Sequence, residues 1–319
     1  MDQRRLTRTD LDVSVVCFGP MRAAHKEPGD DPRSQAGARA LSAALDCGIN
    51  FVHSSYEYGV RWMMTRVLRD HPKRHDIHHI IKVPVPDWDD GGRFDAAKMR
   101  RRVEEALAEL CCERIAVLQW MWRTRPNEDA PRLALLPEIL DDVVACFERL
   151  RDEGKAGHLW TFPYTVPTGR AALESSRFGG LMGYYNPIEM EMAELFPALK
   201  QRGMGFLCIR PLLEGVLTDQ RPSQAALAEG DRLKEPGHAP SFRKRAAVAE
   251  AFAEEIGGSM TRFALRFPLR SPLVASVIVG LNTAEQVEQV AAMMDGIAPR
   301  PELVERAFAL WRDGLGPPA

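Results

Sequence analysis

The residues best suited to chemistry in this chain sit in one short stretch, Asn50-Phe-Val-His-Ser-Ser-Tyr-Glu-Tyr-Gly59. It reads as a buried strand, Phe51 to Ser55, ending on a polar cluster of His53, Tyr56, Glu57 and Tyr58. An imidazole, a carboxylate and phenols are groups that donate and accept protons. Gly59 and a helical pattern follow, so the cluster belongs at the carboxyl end of its strand, where α/β proteins place their sites.

Holding such a strand end requires a sheet buried on both faces, and the chain supplies one by regular alternation. Residues 5 to 16 read as a hairpin around Thr9-Asp10 that leads into a strand from Val15 to Gly19. A helix from Arg33 to Asp46 stops at Cys47-Gly48. Helices are expected near 60 to 70 and at 97 to 110, 137 to 153, 167 to 175 and 191 to 202. Strands are expected at 78 to 85, 114 to 121, 157 to 162, 180 to 185 and 204 to 210. After a Gly-, Pro- and charge-rich loop at 213 to 240 come helices at 241 to 256 and 259 to 268, a last strand from Ala275 to Val279, and a helix from Thr283. Continuous apolar runs such as Ile115-Ala116-Val117-Leu118 imply parallel strands covered on both sides. Eight such strands in unbroken alternation predict a (β/α)8 TIM barrel with an N-terminal hairpin and an extra C-terminal helix at 301 to 313, so residues 1–319 read as one domain. No Gly-x-Gly-x-x-Gly turn follows any strand, which argues against a doubly wound dinucleotide fold.

With 45% apolar residues, 27% charged residues and a formal net charge of -2, the composition is that of a soluble globular protein, with nothing to favour nucleic acid or another polyanion. The six cysteines form neither a disulfide framework nor a metal spacing, and no stretch has the length of a signal peptide core or membrane span. A cytoplasmic location, a small-molecule substrate, no bound metal and no membrane partner are the expectations. Nothing in the sequence sets an oligomeric state.

The stretch Gly48-Ile49-Asn50-Phe51-Val52-His53, continued as Ser54-Ser55-Tyr56-Glu57-Tyr58-Gly59, resembles the aldo-keto reductase pattern Gly-Ile-Asn-Phe-x-Asp-Thr-Ala-x-x-Tyr-Gly. Further segments are similar to that family in the same order: Ile81-Lys82, Glu104 to Leu110, Arg151 to Lys155, Tyr185-Asn186, Arg210-Pro211-Leu212, Ser276 to Gly280, and Thr283 to Glu288. The resemblance implies a barrel that reduces carbonyls with NADP(H) or NAD(H). Its general-acid Tyr falls on Tyr58 and the Lys that tunes it on Lys82. The Asp that holds the Lys is replaced by His53, and the His that orients the carbonyl by Met121. A cation lowers a phenol's pKa from its ordinary value near 10, so loss of the Lys partner weakens the acid. Loss of one hydrogen-bond donor at a developing oxyanion typically costs roughly 2.7 to 4 kcal/mol. Glu57 and Glu214 are candidate replacements for the missing carboxylate, and His53 for the missing imidazole.

The same resemblance places the cofactor along Gly19, Trp160, Tyr185, Arg210, Leu212, Gly280, Asn282 and Gln286, and the substrate near Tyr56, Trp120 and Trp122. Here too the residues depart from the pattern. Trp160-Thr161-Phe162-Pro163 stands where nicotinamide-binding Ser and Asn are usual, Met182 replaces a Gln, Ile209 an aromatic residue, and Val290 an Asn. Leu281 and Asn282 occupy positions that select a 2'-phosphate. Arg210 favours an anion and Glu214 opposes one.

Plainer readings accompany these. Tyr58 and Lys82 also read as inherited pocket lining, His53 as a satisfied histidine, and Met121 between Trp120 and Trp122 as packing. His71, His75, His78 and His79 read as a solvated loop at the opposite end of the barrel, Lys98 and Arg100 to Arg102 as an exposed helix face, and Cys111-Cys112 as a turn without redox function. The leading functional expectation is an NAD(P)H-dependent reductase of small carbonyls with altered chemistry. The others are a cofactor-independent lyase or isomerase on the same barrel, and a non-catalytic binding or regulatory protein.

Overall fold

In the computed structural model, which describes residues 1–315, ten strands form two sheets. Strands β1 (Gln3–Arg5) and β2 (Asp12–Ser14) pair antiparallel, Arg4 opposite Val13. The other eight close a parallel barrel: β3 (Val16–Gly19), β4 (Phe51–Ser55), β5 (His78–Pro84), β6 (Ile115–Met121), β7 (Ala156–Thr161), β8 (Gly180–Tyr184), β9 (Gly205–Ile209) and β10 (Val274–Gly280). The barrel closes where Val277 of β10 pairs with Val16 of β3. This is the predicted (β/α)8 architecture.

The period-two alternation of a strand sorts side chains between two cores. Phe51, Ile80, Val117, Met121, Trp160, Met182, Leu207 and Ile278 fill the lumen, joined from below by Leu6 and Val13 of the hairpin segment, which closes the amino-terminal end. Val52, Ile81, Val83, Leu118, Trp120 and Leu181 face outward beneath the helices. Those helices are α1 (Pro32–Asp46), α2 (Arg61–Leu68), α3 (Ala96–Glu109), α4 (Asp129–Asp152), α5 (Val166–Ser175), α6 (Phe196–Gln201), α7 (Ala239–Ala251), α8 (Ala253–Ile256), α9 (Met260–Arg266), α10 (Ala284–Met293) and α11 (Pro301–Leu310).

Helix boundaries differ from expectation mainly at prolines. Helix α4 begins eight residues before Pro137, which lies inside it; burial of Leu136, Ile139 and Leu140 outweighs the one hydrogen bond the proline removes. The helix expected at 191 to 202 is instead a 3-10 turn, Glu191–Leu195, followed by α6, with Pro197 in its first turn. The helix expected at 241 to 256 breaks at Phe252 into α7 and α8, and the C-terminal helix passes into a π-helical turn, Trp311–Leu315. Among the described residues no helix is long and apolar enough to cross a membrane.

Candidate active site

Strand β4 ends on a 3-10 turn, Tyr56–Tyr58, capped by the Ser55 hydroxyl and terminated by Gly59 in the left-handed conformation (φ 66°). This turn lifts Glu57 and Tyr58 over the mouth of the barrel. Ser55 pairs in register with Lys82 of β5, and Lys82 with Gln119 of β6, so adjacent strands deliver these groups at one level. Lys82 points inward, as do Gln119 and Met121 on β6 by the alternation that buries Ile80 and Val117 in the lumen.

The carboxylate missing from position 53 is supplied by Glu57. Its Oε2 lies 2.6 Å from Lys82 Nζ, and the ammonium stands 5.2 Å from the centre of the Tyr58 ring. Glu57 is held in place by Arg123, whose Nη1 is 2.6 Å from Glu57 Oε1 and 2.6 Å from Asp87 Oδ1. Arg123 also donates from Nε to the Tyr164 hydroxyl at 3.0 Å and lies over the ring of Trp88, while Asp87 accepts from the Tyr56 hydroxyl at 2.7 Å. Two cations and two carboxylates thus form a charge-balanced, largely buried network, the arrangement in which charged groups tolerate desolvation. Burial favours protonation of Glu57, but hydrogen bonds from Arg123 and Lys82 prevail and hold it below its ordinary range. Burial lowers Lys82, opposed by Glu57; burial raises Tyr58, and the nearby Glu57 charge adds to that. The Tyr58 phenol is therefore a protonated, weak acid in this resting geometry.

His53 does not reach into the network. It is buried in the lumen with Nε2 2.7 Å from Gln119 Oε1, and burial pushes it down to about 4, so the ring is neutral and donates to the amide. Its ring centre lies 5.9 Å from that of Tyr58, which makes it the floor under the phenol. Met121, 3% exposed, lines the same lumen and supplies no donor.

Several expected positions fall elsewhere, and period two explains most of them. Because Gln119 and Met121 face inward, Trp120 faces the helices, and Trp122 beyond the strand joins it: the two rings stack at 5.0 Å, with Trp120 also on Phe178, and both are fully buried there. Tyr185 likewise points outward among Phe196, Phe206 and Phe267, and its hydroxyl lacks a partner. Trp160 lies inside the barrel but low, against Gly180 and Gly205 near the amino-terminal end, and is fully buried. Tyr56 is at the mouth, bound to Asp87 and lying 3.9 Å from the Arg102 guanidinium. The aromatic residues that do ring the mouth are Phe162, Tyr164 and Tyr184, with Phe162 edge-on to both tyrosines. Tyr184, Arg123, Asp87, Gln119 and Tyr164 carry no role in the sequence reading. The signals for three of them were a polar residue inside an apolar run, Gln119, and charged residues directly after the strand ends, Asp87 and Arg123.

At the ends of β8 to β10, Arg210 (φ 65°) is committed: it pairs with Glu189 and Glu214 and lies 4.4 Å over the Tyr184 ring. Glu214 also binds Arg232, and Leu212 leads into this left-handed turn at Leu213 and Glu214. Asn186 is saturated by Glu189, the Arg210 carbonyl and two backbone amides. By contrast, a side chain at Gly280 would meet no neighbour, and Asn282 Oδ1 is buried without a partner. Gln286 accepts from the Asn282 amide, and Thr283 caps α10. Gly19 pairs with Gly280, where a side chain would press on the Val279 carbonyl at 3.0 Å.

The fold is an eight-stranded parallel barrel with a Tyr and a Lys at its carboxyl mouth, and the sequence pattern of the Aldo/keto reductase family matches residues 15–298. The chain belongs to the aldo/keto reductase family. It is 24% identical over 311 residues to an L-galactose dehydrogenase of Arabidopsis thaliana, covering 92% of this chain and 89% of that protein. An uncharacterized oxidoreductase of Bacillus subtilis, YqkF, is also 24% identical, with 91% and 90% covered. Among solved structures, the glycerol dehydrogenase AKR11B4 from Gluconobacter oxydans superposes with a TM-score of 0.74 at 22% identity, covering 100% of this chain and 98% of that one.

Proposed function

We propose that this protein catalyses NAD(P)H-dependent reduction of a small carbonyl compound at the barrel mouth, with Tyr58 as proton donor. The observation that carries the proposal is the Glu57–Lys82 ion pair beside the Tyr58 ring, which rebuilds from a neighbouring residue the support that His53 no longer gives. The open Gly280, the unpartnered Asn282 Oδ1, Gln286 and the start of α10 fit the adenosine half of a dinucleotide. Where a nicotinamide amide would seek polar side chains, the chain offers Phe162, Met182 and Ile209, so that end is held by apolar and aromatic faces. An anion reaching Arg210 must displace Glu214 from it.

When bound, the cofactor supplies the hydride. Tyr58 holds the proton and delivers it to the carbonyl oxygen as negative charge develops there. Lys82, kept cationic by Glu57, stands over the Tyr58 ring, and its charge together with that of Arg123 opposes the rise in the phenol's pKa that burial and Glu57 cause. Arg123 fixes Glu57 against Lys82, and the ring of Phe162 and Tyr184 favours substrates with an apolar or aromatic body. Without a donor at Met121, turnover is slow. A carbonyl panel assayed by oxidation of NADPH or NADH tests this: Tyr58→Phe should lower kcat by roughly a hundredfold or more with little change in cofactor affinity, and a Tyr58→Phe protein of undiminished kcat would remove Tyr58 as the acid.

A further inference from the structure

At the end of the barrel opposite the catalytic mouth, a cavity of about 360 Å³ opens between the amino-terminal ends of β5, β6 and β7. Arginines and histidines line its rim: Arg74 and His75 precede β5, His78 begins it, Arg114 precedes β6, and His158 lies in β7; burial lowers the pKa of His78 and His158, so the two arginines carry its positive charge. Leu11, Ile77 and Ala116 form an apolar wall.

Two observations separate this rim from ordinary solvated surface. Neither arginine has a carboxylate partner among the described residues. Arg74 donates to His75 Nε2 at 3.0 Å and to the Arg69 carbonyl, and the Arg114 guanidinium makes no hydrogen bond there. Gly157 keeps β7 bare, because a side chain at that position would meet the Ala116 carbonyl at 2.6 Å and Arg114 Nη2 at 3.3 Å. His158 Nε2 is sealed from solvent 3.6 Å from the Asp10 carboxylate, so this imidazole shapes the wall without presenting Nε2 to the cavity.

We infer that this cavity binds a small phosphate monoester, its oxyanion held between Arg74 and Arg114 and its body resting on Leu11, Ile77 and Ala116. Guanidinium groups supplied to one cavity from two different segments suit a tetrahedral oxyanion with several acceptors. The volume is far larger than a bare ion needs and falls in the range of small-ligand pockets. Acidic groups also border it, Glu113 on the rim and Asp10 with a side chain 83% exposed, so the site suits one small oxyanion between the arginines rather than a polyanion such as nucleic acid. Burial pushes the Cys112 thiol up to about 12, so it brings no competing negative charge.

Calorimetry and phosphorus NMR on the full chain, with ribose 5-phosphate, inorganic phosphate and ribose as probes, test the site. The sugar phosphate should bind more tightly than inorganic phosphate, and ribose not at all. Arg114→Gln and Arg74→Gln should each weaken ribose 5-phosphate at least about tenfold while leaving the thermal transition in place; Arg114→Met or Arg74→Met replaces either variant should it not fold. Arg210→Gln, at the other end of the barrel, should leave this binding intact. The inference is overturned by absence of binding at about 10 mM, by equal affinity for the ester and the bare ion, by binding that survives the rim substitutions, or by binding that only Arg210→Gln removes.

Discussion

Replacing Glu57 by glutamine keeps the side-chain shape and removes the charge on which the mouth of the barrel depends. The carboxylate lies 2.6 Å from both Lys82 and Arg123, and the side chains of Glu57, Lys82 and Arg123 are only 26%, 16% and 7% exposed. Breaking a buried pair by neutralising one partner costs about 3 to 5 kcal/mol. Here Arg123 keeps Asp87 and Glu57 is partly solvated, so the loss should be about 2 to 3 kcal/mol, a fall in Tm of roughly 5 °C for a chain of this size. Urea denaturation gives the free energy, and a double-mutant cycle with Lys82→Met isolates the pair, for which a coupling of about 2 kcal/mol is expected. Activity should fall alongside, because a Lys82 without its carboxylate favours the neutral amine, and losing that cation beside Tyr58 outweighs the relief from the Glu57 charge that holds the phenol up. A Glu57→Gln protein within about 0.5 kcal/mol of the parent, with unchanged kcat, would refute the claim that Glu57 replaces the missing aspartate.

Two further outcomes follow from the lumen. Met121→His places a hydrogen-bond donor on the inner face of β6 and should raise kcat for carbonyl reduction by roughly tenfold to a hundredfold, measured under saturating cofactor; no gain would mean that the carbonyl does not sit over position 121. Burial holds His53 at about 4 against an ordinary 6.5, so the unfolded chain takes up this proton first as pH falls. The stability that neutral His53 permits is complete above about pH 6.5 and declines toward pH 4 by about 3 kcal/mol, and His53→Asn should remove that share of the slope in pH-dependent urea melts.

How much of this was legible beforehand depended on the kind of signal. The barrel followed from apolar runs and their alternation with helices, because strands buried on both faces have little compositional freedom. The location of the mouth followed from Tyr58 and Lys82 at strand ends. What periodicity could also have shown is the facing of Trp120, Trp122 and Tyr185: counting in twos from Gln119 and from Met182 sends all three outward, and points to Tyr184 as the ring at the mouth. The Glu57–Lys82 pair was one of two options in the sequence, Glu214 being the other, since the 3-10 turn that swings Glu57 back over β5 leaves no periodic trace. Arg123 and Asp87 were hidden for a related reason: they come from separate loops and meet only because β5 and β6 lie side by side, Pro84 paired with Met121.

The central claim, a carbonyl reductase site with a rebuilt Lys–carboxylate pair, is tested most directly by titrating the pure protein with NADPH and NADH while following tryptophan fluorescence and heat. The account predicts saturable binding of at least one of them with a dissociation constant below about 1 mM, weakened by filling the open position at Gly280 with Gly280→Trp. Absence of binding by either cofactor at millimolar concentration would contradict it.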